Sequence, residues 1–76
     1  MPERRLIYKD EDVTWDVTFK IERIVHIIAE RRNITFDDAY ASFTTTRAYA
    51  ALQRTDTLMW AESSPYIVDR YFEEIP

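Results

Sequence analysis

Asp16-Val17-Thr18-Phe19-Lys20-Ile21-Glu22-Arg23-Ile24-Val25-His26-Ile27-Ile28-Ala29-Glu30-Arg31-Arg32 carries more apolar surface than any other segment of this 76-residue chain. On a helix of 3.6 residues per turn, Val17, Ile21, Ile24 and Ile28 share one stripe, flanked by Val25 and Ile27. Glu22, Arg23, His26 and Glu30 fall on the other side. A fully buried large aliphatic contributes about 1.5–3 kcal/mol, so later helices are expected to pack on this stripe. A strand signal competes at its start, where Val13, Trp15, Val17 and Phe19 alternate with polar residues. The acids Asp10, Glu11, Asp12 and Asp16 favour a helix beginning between Asp12 and Asp16, since a helix N-terminus attracts negative charge. Arg31 and Arg32 suit the opposite pole, and Asn33 is the best left-handed cap in a chain without glycine.

On the N-terminal side, residues 1–12 read as a charged arm with an apolar patch at Leu6-Ile7-Tyr8, either lying on the helices or forming a short edge strand. On the C-terminal side, Thr35-Phe36-Asp37-Asp38 reads as an N-cap followed by acids in a first turn. Phe36, Ala39, Tyr40 and Phe43 then give the apolar face of a short helix, and Thr44-Thr45-Thr46 ends it. Thr45 or Thr46 caps a third helix. Its stripe of Ala48, Leu52, Thr55 and Met59 predicts one bent helix to about Ala61, although Leu58 falls off the stripe and marks a possible break near Thr55-Asp56-Thr57. Ser64-Pro65 reads as an N-cap with proline at the first helical position, and Val68, Tyr71, Phe72 and Ile75 as the inner face of the last helix. The expectation is one all-α domain over residues 1–76. It is a small four-helix bundle with a short N-terminal arm (1–12) and helices at about 14–32, 36–43, 46–61 and 65–75.

Composition narrows the function. The chain has no glycine, which removes glycine-rich phosphate loops and the dinucleotide fingerprint. It has no cysteine, which removes disulfides, thiol catalysis and cysteine-ligated zinc. One histidine makes no histidine cluster for a metal. A net charge of −4 disfavours sequence-independent nucleic-acid binding, which neutralises phosphates with Lys and Arg. No apolar run approaches the ~20 residues of a bilayer span, and no signal-peptide pattern is read at the N-terminus. The expected setting is cytoplasmic, with no cofactor and no membrane contact.

Few residues invite a chemical role. His26, in the series Glu22, His26, Glu30, has the residue type of a general base or single metal ligand, but no nucleophile stands at helical spacing from it. A solvated helix face explains it better. Asp37 and Asp38 are explained by their place in a first turn, and Glu73-Glu74 by a solvated face. The segment Phe36–Phe43, the Thr44-Thr45-Thr46 turn and the start at Arg47 imitate a helix–turn–helix motif. The would-be reading helix, Arg47-Ala48-Tyr49-Ala50-Ala51, offers few groups that reach bases. Phe19 is less easily explained. It points toward Glu22, Arg23 and His26, away from the main stripe, and Trp15 and Tyr66 are also hard to place inside. Either the arm or another helix covers them, or they form an exposed aromatic patch of the kind found at protein contacts.

Phe19-Lys20-Ile21-Glu22, Asn33-Ile34-Thr35, Ala39-Tyr40, Phe43 and Tyr66-Ile67-Val68-Asp69 together resemble a group of small helical bacterial proteins of unknown function, across roughly residues 17–74. Some of that group are encoded beside toxins resembling ADP-ribosyltransferases. Members often carry Tyr-Asp-x-Leu-His before the last helix, whereas this chain has Thr55-Asp56-Thr57-Leu58-Met59 and keeps only the Asp and Leu. The resemblance brings no catalytic residues. It implies an antitoxin-like or accessory protein that acts by binding a partner protein. The combined expectation is a non-enzymatic interaction module, with Trp15, Phe19, Glu22, Arg23 and His26 as partner-binding residues and homodimerisation as the simplest use of that face. The alternatives are a small helix–turn–helix-like DNA-binding regulator and a homo-oligomeric structural protein.

Overall fold

The computed structural model describes residues 5–75. They form a two-stranded hairpin, β1 (Ile7–Tyr8) and β2 (Glu11–Asp12), followed by α1 (Thr14–Arg32), α2 (Phe36–Phe43), α3 (Arg47–Leu52) and α4 (Ser64–Glu74). The chain is mostly helical, as its periodicity requires.

The part of the arm within the described residues is an antiparallel pair in which Ile7 faces Asp12 and Tyr8 faces Glu11. Lys9 and Asp10 both have positive φ, 48° and 67°, the two-residue turn whose twist matches a hairpin. The hairpin is tied to the helix it precedes. Thr14 Oγ accepts the Leu6 N–H at 2.8 Å, and the Val13 N–H donates to the Leu6 carbonyl at 2.7 Å. Asp12 accepts from the Thr14 N–H at 2.9 Å and pairs with Arg5 at 3.0 Å. Its carboxyl is held below the usual range by the Thr14 hydroxyl and N–H, and then by Arg5.

Helix α1 buries Val17, Ile24, Val25 and Ile28, with Ile21 and Ile27 half-buried at the edges of the stripe. It ends where Asn33 turns left-handed at φ 56°, and the Ile34 N–H reaches back to the Ala29 carbonyl at 3.0 Å. Thr35 caps α2 by accepting the Asp38 N–H. Only Ala39 and Phe43 of α2 are buried. Phe36 and Tyr40, read from sequence as part of the inner face, are exposed, because an eight-residue helix laid on α1 hides only a narrow stripe.

The single bent helix expected over 46–61 is replaced by a short helix and two 3₁₀ turns. Thr46 caps α3, accepting the Tyr49 N–H while its own hydroxyl donates to the Phe43 carbonyl. Six residues later the helix stops and Arg54 is extended. The 3₁₀ turns Thr55–Thr57 and Met59–Ala61 follow, separated by Leu58 at φ 60°. The cause is local. Thr57 Oγ lies 2.7 Å from the Ala51 carbonyl and 2.8 Å from that of Arg54, a side-chain competitor for groups a continuing helix would use. The break lets Trp60 turn back toward the hairpin, where its ring meets Tyr8 edge-on at 5.5 Å and its indole N–H donates to the Thr55 carbonyl. Thr55 Oγ in turn donates to the Ile7 carbonyl.

The cap of α4 is Ser63, one residue earlier than expected. Its hydroxyl accepts the Tyr66 N–H, while Ser64 is already helical and buried and Pro65 lies in the first turn. The inner face is Ile67, Val68 and Tyr71, with Phe72 and Ile75 half-buried. Leu6 and Val13 close the core from the hairpin side. The far end is polar: the hydroxyl of the buried Tyr71 meets Arg32 at 2.6 Å and Ser42 at 2.7 Å. Glu74 spans to α3, its two carboxylate oxygens accepting the Arg47 and Ala48 N–H groups at 2.7 and 3.0 Å. No helix among the described residues is long and apolar enough to cross a membrane.

Candidate functional site

Helical arithmetic puts Trp15, Phe19, Glu22 and His26 on one outward stripe of α1, at steps of four, three and four. The structure leaves that stripe uncovered. Trp15 is 61% exposed and Phe19 63%, and their rings lie side by side with centroids 5.9 Å apart. Neither the hairpin nor another helix closes over them. Val13 is buried, and Trp60 is half-buried against the hairpin. Trp15, Phe19 and Tyr66 stay outside. Tyr66 is partly occupied, because the Arg70 guanidinium stacks on its ring at 5.2 Å and bonds its hydroxyl.

Beyond Phe19 the stripe becomes the wall of an open groove of about 490 Å³, lined by Phe19, Glu22, Arg23, His26, Ile27 and Glu30. This groove brings together four of the five residues expected from sequence, with Trp15 abutting it through Phe19. Lys20, at the margin, donates to the Glu62 carbonyl and is engaged. Among the described residues, Asp16, Glu22, Arg23 and Glu30 take part in none of the ion pairs, which are Arg5–Asp12, Arg31–Asp69, Arg54–Asp56 and Arg70–Glu73. The helix face therefore presents aromatic rings beside uncommitted charges of both signs.

The aromatic surface extends further than the sequence suggested. The His26 ring packs on Phe36 with centroids 4.8 Å apart, and Phe36 stacks on Tyr40 at 6.4 Å. Phe36 is 38% exposed and Tyr40 43%. They border a second groove of about 420 Å³ with Ile21, Glu22 and Tyr49. Burial, and then the neighbouring Tyr40, raises the Tyr49 phenol above its ordinary pKa. Phe36 and Tyr40 escaped notice because their i, i+4 spacing fits an inner face as well as an outer one. The eight-residue length of α2 was the available warning.

Among the described residues, no group of three or more His, Cys, Asp or Glu converges as a metal site would require. No family model, curated protein or solved structure matches this chain.

Proposed function

We propose that this chain is a non-enzymatic protein–protein interaction module whose contact face is Trp15, Phe19, Glu22, Arg23 and His26 on α1. One observation carries the reading: two large aromatic rings stand side by side, more than half exposed, on the outer face of a 19-residue helix. Leaving them in water forfeits stabilisation that a covering partner would recover. Aromatic anchors with arginine nearby are the composition of interface centres. Phe36 and Tyr40 give the face a second rim. An antitoxin-like or accessory role is the use that the resemblance to small helical bacterial proteins implies. The DNA-regulator reading loses support from α3, which has only six residues and whose first N–H groups are already taken by Glu74.

Capture from a lysate of the native cells tests the proposal, with wild type and Phe19→Asp as baits. The expected result is a protein retained by wild type and lost with Phe19→Asp, while both baits keep the same helical circular dichroism and melting temperature. Identical captures by the two baits would overturn the reading. So would a badly unfolded Phe19→Asp, which would make Phe19 ordinary core.

A further inference from the structure

We propose that two copies of this chain pair antiparallel through α1, about a two-fold axis beside Phe19. The inference rests on the interaction reading above and names the partner as a second copy.

The charge layout carries it. Asp16 and Arg23 are seven residues apart, on the same edge of the outward stripe and on either side of Phe19. Both are exposed, and neither belongs to an ion pair among the described residues. When two helices pair antiparallel about a two-fold axis, like edges face each other and residues equidistant from the axis meet. An axis beside Phe19 therefore sets Asp16 of each copy against Arg23 of the other, giving two reciprocal ion pairs. A parallel pairing would put the Asp16–Arg23 edges of the two copies on opposite sides of the interface, where Asp16 of one meets no Arg23 of the other.

The aromatic residues fit the same axis. The two Phe19 rings meet at the centre. Trp15 of each copy enters the space framed by Glu22, Arg23 and His26 of the other, as a knob enters a hole. That placement sets an indole face beside the second copy's guanidinium, a favourable cation–π geometry. Every residue of the contact face gains a neighbour, and no third protein is needed.

Size sets the strength. Covering four rings of this exposure removes on the order of 500 Å² from water, and the flanking charged side chains add to it. The total lies at the low end for specific pairs, so association is weak and depends on concentration.

Sedimentation equilibrium on the purified chain, from micromolar to millimolar protein, tests the inference. Wild type is expected to show a monomer–dimer equilibrium. Asp16→Arg and Arg23→Asp should each weaken it by about tenfold or more, because each sets like charges together. The double swap, Asp16→Arg with Arg23→Asp, should restore most of the affinity. Retention of helical circular dichroism checks that these exposed substitutions leave the fold intact. A wild type that stays monomeric throughout overturns the inference. It leaves the interaction reading standing if Phe19→Asp still loses a captured protein. A dimer indifferent to all three charge variants also overturns it, since the antiparallel register would then be wrong.

Discussion

Ile24 and His26 are two residues apart on α1 and face opposite ways. Ile24 has no exposed surface, whereas the His26 ring lies in the open against Phe36. Ile24→Ala should cost about 2–5 kcal/mol through lost burial and the cavity left behind, and His26→Ala much less, because only one ring contact goes. Chemical denaturation of the two variants checks this, and equal losses would mean the helix phase is wrong. Such contrasts were legible from apolar spacing alone. Leu58 was only half legible: its poor fit to the α3 stripe pointed to a break, but nothing in its side chain announces a φ of 60°. A left-handed leucine crowds its Cβ against its own carbonyl, at about 1–2 kcal/mol. Leu58→Gly relieves that crowding and loses only a partly exposed side chain. It should therefore raise stability by about 0.5–1 kcal/mol, even though glycine loosens the unfolded chain. A fall in denaturation midpoint would show that the Leu58 side chain matters more than its backbone.

Helices α1, α2 and α4 announce their ends in their own sequence, through Asn33, Thr35 and the serines before Pro65. Helix α3 does not. Its N-terminus is served by Thr46 and also by Glu74, a residue 27 positions away from Arg47. No local pattern reveals such a contact, so Glu74 read simply as a solvated acid. A carboxylate on two helix-start N–H groups acts as an N-cap supplied from elsewhere. Glu74→Gln keeps one acceptor, sets an amide N–H₂ against the other donor and removes the charge. The expected loss is about 0.5–2 kcal/mol, with Glu73→Gln near neutral, as measured by urea denaturation. The hairpin was legible only as an apolar patch with a short edge strand as one of two alternatives, because Lys9-Asp10 lacks the Asn-Gly signature of its turn.

Across the molecule, the helical class followed from periodicity, and the long middle helix expected at 46–61 failed because threonines took over backbone groups. The candidate site was legible as a residue, Phe19, on the wrong side of its helix. Its reach across α2 was not, because that depends on how two helices lie together. The reciprocal ion pairs proposed for α1 depend on Asp16, which the sequence offered only as a helix-start acid. The bridge from Glu74 to α3 also bears on the order of assembly. A six-residue helix is too short to hold itself in water. Its start draws on a carboxylate at the end of α4 as well as on Thr46, so α3 is expected to become firm only after α4 has docked. Helices α1 and α2, joined by a short local turn, are expected to close first. In refolding experiments Glu74→Gln should then speed unfolding and leave the folding rate nearly unchanged. The same late contact makes α3 the first segment expected to open in the native protein, and its amides the first to exchange with solvent.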